Sequence, residues 1–104
     1  MKLTVVGFDW DSGNHAKCQS HGVSIAEIEE LFAHAVYVAP VPIRPDSEDR
    51  FIATGRNRAG RPLFVAFTLR TINNRQLIRP ISARYMHAKE IAAYEKASPE
   101  TEDQ

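Results

Sequence analysis

Two histidines, a lysine and a run of arginines are the residues of this chain with the most chemistry to offer. Lys17 and His21 are four apart, which on a helix puts them on one face, where they could clamp a phosphate or supply an acid. His15, Cys18 and His21 follow at intervals of three, a spacing that invites a metal reading. Helical positions six apart point about 120° away from each other, so the three would not converge on an ion. No carboxylate accompanies them at ligand spacing. Cys18 has no neighbour that would activate it as a nucleophile and is expected to be a small packing residue. Neither a metal nor another cofactor is expected.

The arginines stand in an unusual distribution. The chain has 104 residues, 13 Lys and Arg against 13 Asp and Glu, and a formal net charge of zero. That neutrality is a cancellation between segments. Residues 1–49 carry three cations and eight acids, residues 50–89 nine cations and no acid, and residues 90–104 one cation and five acids. Eight of the nine central cations are Arg, whose planar fork pairs bidentately with phosphate. An acid-free block of that length reads as a surface facing a polyanion. The competing reading is a set of solubilising charges paired with the acidic flanks.

The elements that would carry these residues are legible from pattern. With 43% hydrophobic and 25% charged residues, the chain reads as a folded globular domain, expected to span 1–97 with a short acidic tail at 98–104. One Cys allows neither an internal disulfide nor a Cys-based zinc site. Leu3–Trp10 suggests a strand. Asp11 or Ser12 can cap a short helix ending near His21, with Gly22 in the left-handed position beyond it. Ser24-Ile25-Ala26-Glu27 is a capping box, followed by an apolar stripe at Ile25, Ile28, Leu31, Phe32 and Ala35. Four strands follow, at Ala35–Ala39, Arg50–Asn57, Leu63–Leu69 and Gln76–Arg84, separated by a proline loop at Pro40–Ser47, by Arg58-Ala59-Gly60 and by Asn73-Asn74. Leu63–Phe67 is continuously apolar and is expected at the centre, buried on both faces. Pro80 argues for an edge or a bulge, and His87–Ala97 for a final helix. The class is α+β: an N-terminal strand, two helices, a four-stranded antiparallel meander and a C-terminal helix.

Four stretches in this order carry a family likeness: Phe8-Asp9-Trp10-Asp11; His21-Gly22-Val23-Ser24 with the helix to Phe32; Glu48-Asp49-Arg50-Phe51 with Gly55-Arg56; and Ile81-Ser82-Ala83-Arg84 leading to Glu90 and Tyr94. Together they make the chain resemble the BrnT toxins, members of the RelE-like ribonuclease group in type II toxin–antitoxin systems. The resemblance implies a small curved sheet with helices against it, and metal-independent cleavage of RNA that inhibits translation. It also implies a cognate antitoxin, BrnA-like with a ribbon-helix-helix fold, that neutralises the toxin and represses the operon as a complex. DNA would then be met only through that complex. Two features depart from the pattern: Pro80 stands where an apolar strand residue is usual, and the net charge is neutral rather than basic.

Metal-free RNA cleavage needs a proton acceptor for the 2′-hydroxyl, a donor for the leaving oxygen, and cations for the phosphorane. The candidates for these roles are His21, Arg56, Arg84, His87 and Tyr94, with Lys17, Arg50, Arg58 and Lys89 as RNA-binding residues. Strand alternation puts Arg50, Ile52, Thr54 and Arg56 on one face and Phe51, Ala53 and Gly55 on the other. Ser82 and Arg84 likewise share a face, and Arg84 is the preferred transition-state cation. Gly55 would leave room for a backbone or a phosphate to approach beside Arg56. His87 or Glu90 could be the base, and Tyr94 could stack on a nucleobase or donate a proton. Alternatively, Glu90 pairs with Arg84 and Tyr94 packs on the sheet. A non-catalytic module of the same fold, binding protein or nucleic acid, is the rival reading, and a metal-dependent hydrolase a third. No early apolar run is long enough for a signal-peptide core or a membrane span, so the expected location is the cytoplasm.

Overall fold

A computed structural model of the chain describes residues 7–34, 36–41 and 49–97. Its elements are β1 (Gly7–Phe8), α1 (Ser12–Cys18), α2 (Ile25–Ala33), β2 (Tyr37–Pro40), β3 (Phe51–Arg56), β4 (Pro62–Ile72), β5 (Arg75–Tyr85) and α3 (Ala88–Ala97). The strands form one sheet in the order β1-β5-β4-β3-β2. β2 to β5 are the expected antiparallel meander. β1 adds a fifth strand by pairing parallel to β5, Gly7 beside Leu77 and Phe8 beside Ile78, which makes the sheet mixed. The expected N-terminal strand is therefore part of the same sheet. Its first residues, the chain at 42–48 that holds most of the proline loop, and the tail 98–104 lie outside the described residues.

The hairpins follow from local chemistry. Asn73 and Asn74 take φ of 53° and 64°, the left-handed pair that a tight β4–β5 turn requires and that Asn tolerates. At the other end Asn57 Oδ1 accepts from Arg61 N–H and Gly60 takes φ 86°. The register slips between Ala66 and Phe67, so that Phe67 faces Pro80 while Ala66 faces Ser82, leaving Ile81 as the extra residue. That is the bulge expected from a proline that cannot donate to a ladder.

Pro80 also marks where β1 has ended and α1 takes over beside β5. Asn14, buried, fixes this junction. Its Nδ2 donates to Asp9 O at 3.0 Å and to Pro80 O at 2.9 Å, while its Oδ1 and N–H exchange hydrogen bonds with Asp11 in a reciprocal cap. α1 closes at Cys18, three residues earlier than His21, with Gly22 at φ 92° beyond it.

The core lies on one face of the sheet, under α2. Ile28 and Leu31 meet Ala53, Leu63, Val65, Phe67, Ile78 and Ala83, and Cys18 and Val23 close its end. Phe67 is ringed by aromatic neighbours, Phe32 edge-on at 5.1 Å and its cross-strand partner Phe51 stacked at 5.4 Å. A Cβ at Gly55 would come within 2.5 Å of Leu31 Cδ1. The missing side chain is thus filled by the core; it does not open a phosphate path to Arg56, as the sequence had suggested.

The opposite face of the sheet is only half covered, which corrects the expectation for Leu63–Phe67. Leu63, Val65 and Phe67 are buried, but Phe64 and Ala66 are partly exposed and line a cleft. A continuous apolar run marks a central strand here without marking burial on both faces. α3 has no buried residue and reaches this face through side-chain contacts.

Candidate functional site

The open face is built from one row of side chains across three strands and a second row beside it. Ile52, Ala66 and Ser82 are cross-strand neighbours, as are Thr54, Phe64 and Arg84. α1 and the turn after it add Lys17 and His21. The result is a cleft of about 510 Å³ lined by Lys17, His21, Ile52, Phe64, Ala66, Ser82, Ala83 and Arg84. A second cleft of about 400 Å³ lies against it, lined by His21, Arg61, Arg84, Tyr85, Met86 and His87. His21 and Arg84 belong to both, so they form the boundary between the two. Among the described residues no carboxylate is in the lining of either cleft, although Glu90 sits on Arg84 at their boundary.

Arg84 is the best-anchored cation of the site. Its Nη1 and Nη2 donate to the two oxygens of Glu90 at 2.8 Å each, and Nη1 also reaches Tyr85 O at 3.2 Å. Its guanidinium carbon stands 4.8 Å from the centre of the Phe64 ring. The Arg84 hydrogen bonds, then the His87 N–H, hold the Glu90 carboxyl at about 2, well below its ordinary 4.5. Arg84 is in turn raised above the ordinary arginine value, chiefly by the same bonds. A carboxylate held so low is a poor proton acceptor near neutral pH, so Glu90 serves as an ion-pair partner. The alternative pairing with Arg84 is the one observed.

Arg56 is held in the same manner at the far end of α3. It donates to Glu95 at 3.1 Å and to Gly60 O at 2.8 Å, and its guanidinium carbon lies 5.3 Å from the Tyr94 ring centre. Arg56 and Tyr94 therefore form their own cluster, apart from the residues lining the clefts. Arg58 pairs with Glu30 of α2 at the β3–β4 turn. Arg50 and Lys89 are exposed and line neither cleft. Of the nine residues expected at the site, Lys17, His21, Arg84 and His87 come together. Lys17 and His21 do so even though the helix stops short of His21.

Arg61, at the end of the β3–β4 turn, lies over the Tyr85 ring at 3.7 Å and lines the second cleft. Its position is set by a network on the core side. Tyr85 Oη donates to Glu27 at 2.7 Å, and Asn57 Nδ2 donates to the same carboxylate at 2.8 Å. Burial opposes ionisation of Glu27, but the Ser24, Asn57 and Tyr85 hydrogen bonds outweigh it and hold the group at about 2. The capping box of α2 thus also anchors the wall of the cleft. The Ser-x-x-Glu spacing signalled the cap; only the fold brings Tyr85 to it.

Residues 10–90 match the family described as the ribonuclease toxin, BrnT, of type II toxin–antitoxin systems. The chain belongs to this family. No curated protein matches it. The matched span takes in every residue lining the two clefts and ends at Glu90, short of Tyr94 and Glu95. A BrnT toxin is a ribonuclease with an antitoxin partner and an RNA substrate, and the paired clefts are where this chain brings Lys17, Arg61 and Arg84 together with His21 and His87. Among the described residues no helix is long and apolar enough to cross a membrane. His15 and His21 are exposed while Cys18 is fully buried, so the three do not face a common point.

Proposed function

We propose that this protein cleaves RNA without a metal, at the boundary between the two clefts, and that this cleavage inhibits translation. The observation that carries the reading is the shared wall: His21 and Arg84 line both clefts, with Lys17 on one side and Arg61 and His87 on the other. In the reaction, the 2′-oxygen bonds to phosphorus as the phosphorus–5′-oxygen bond breaks. One histidine takes the 2′-hydroxyl proton and the other supplies a proton to the departing 5′-oxygen. Arg84 faces the charge that accumulates on the phosphorane, and Lys17 and Arg61 hold neighbouring phosphates. The guanidinium and ammonium groups of the clefts support metal-free chemistry, because Lys17, Arg61 and Arg84 can meet the phosphorane charge that a divalent ion would otherwise neutralise.

Substrate and α3 compete for the same guanidinium. Glu90 occupies Arg84 with the bidentate geometry a phosphate would use, so RNA binding requires exchange of a carboxylate for a phosphate. The antitoxin partner is proposed to be BrnA-like, with a ribbon-helix-helix fold, and DNA to be engaged only through the complex. The proposed location is the cytoplasm.

Purified protein in excess chelator is expected to cut single-stranded RNA into fragments ending in 2′,3′-cyclic phosphate and 5′-hydroxyl. His21→Ala and His87→Ala are each expected to slow cleavage by roughly 10²- to 10⁴-fold. A requirement for divalent ions, or undiminished cleavage when His21, Arg84 and His87 are all replaced, would refute the assignment. RNA bound and left intact by wild type would instead support the non-catalytic alternative, which the carboxylates already seated on Arg56 and Arg84 favour.

A further inference from the structure

The two clefts differ in kind, and the difference points to what lies on each side of the bond that is cut. The smaller one presents Arg61, Arg84, His21 and His87, groups suited to phosphate oxygens. The larger one has a rim of two cations and a histidine, Lys17, Arg84 and His21, around a floor of Ile52, Phe64 and Ala66. Ala66 stands in the middle strand between Ile52 and Ser82, and its small side chain gives the floor its depth. The Ser82 hydroxyl, on the wall, has no side-chain hydrogen bond to another described residue. An apolar floor with a hydroxyl on its wall and two cations on its rim fits a group that is planar, bears hydrogen-bonding edges and is tied to an anion.

We propose that the larger cleft is a nucleobase subsite, holding the base of the nucleotide next to the phosphate gripped at His21 and Arg84. This rests on the reading of the paired clefts as an RNA site and adds a preference for base-bearing over bare backbone. The base lies on the Ile52–Ala66 floor beside the Phe64–Arg84 stack, with its edge towards Ser82 Oγ. Stacking of this sort is sequence-tolerant, because every base offers a π-face; the hydroxyl, donor and acceptor alike, grades the bases by their edges. The volume of about 510 Å³ falls within the range of small-ligand sites, roughly 300–1,000 Å³.

The test compares two non-cleavable probes of equal length: a 2′-O-methyl single-stranded RNA, and the same sugar–phosphate chain with no bases. Wild type is expected to bind the base-bearing probe about tenfold more tightly, the scale of one stacked base. Ala66→Leu, which fills the floor, is expected to bring that ratio close to one. If Ala66→Leu does not fold, as judged by thermal unfolding, Ile52→Phe narrows the same floor from β3 and is read in the same way. Equal binding of both probes by wild type overturns the subsite and leaves the phosphate-binding reading standing. So does an unchanged ratio in the folded variant. Wild type that binds neither probe overturns the RNA site itself, and the subsite with it.

Discussion

At the scale of single residues, the open face divides its arginines by what already holds them. Arg84 and Arg56 carry Glu90 and Glu95; Arg61 lies over an aromatic ring and pairs with no carboxylate among the described residues. Replacing Glu90 by Gln keeps an acceptor for the His87 N–H and removes the charge that competes with phosphate. Glu90→Gln is therefore expected to tighten RNA binding by roughly two- to fivefold at low salt, the scale of an exposed ion pair, measured by fluorescence anisotropy. Loss of cleavage together with tighter binding would mean that Glu90 is the proton acceptor after all. Strand alternation made much of this legible. It placed Arg84 beside Ser82 and set Arg56 opposite Gly55, but it could not show that Gly55 is small for the sake of Leu31. Gly55→Ala is expected to cost about 1–3 kcal/mol from overpacking, read as a fall in Tm of several degrees.

At the scale of elements, α2 does more than cover the sheet. Its first turn contains the carboxylate that Tyr85 and Asn57 share, so the start of one helix fixes the end of β5 and the β3–β4 turn. Glu27 is held at about 2 against an ordinary 4.5. A depressed carboxyl contributes stability that is whole above its unfolded value and disappears as the pH falls through its folded one. The stability advantage of wild type over Glu27→Gln is accordingly expected to narrow between about pH 4.5 and about pH 2, followed by urea unfolding across that range. The meander was readable because Asn-Asn, Gly and Pro punctuate it. The parallel pairing of β1 was not, because the pattern that marks a strand does not say which neighbour it pairs with or in which direction. The partly open face of β4 was hidden for a different reason: an apolar floor for a ligand and an apolar core have the same composition.

At the scale of the whole molecule, the acid-free block folds into three adjacent strands and the start of α3, and its charge is answered from outside. Arg58 pairs with α2, Arg70 and Arg79 with the acids between β1 and α1, and Arg56 and Arg84 with α3. Among the described residues, the rival reading of that block, charges paired with acidic flanks, thus accounts for five of the nine cations. Of the other four only Arg61 lines either cleft, so RNA would be met by Arg61 and Lys17, and by Arg84 where phosphate displaces Glu90. For three or four phosphates neutralised on a single strand, the logarithm of affinity is expected to fall with the logarithm of salt at a slope of about −2 to −3. A titration giving a slope near zero would show that the clefts do not meet phosphate.

That placement of partners also bears on how the chain assembles. Until β1, α2 and α3 dock, β3, β4 and β5 form a short polycation whose own strands repel one another. The local hairpins favour early formation of these strands, while the repulsion holds them apart until carboxylates from both ends of the chain arrive. Salt added during refolding screens that repulsion and should speed closure of the sheet, even as it weakens the finished protein's hold on RNA.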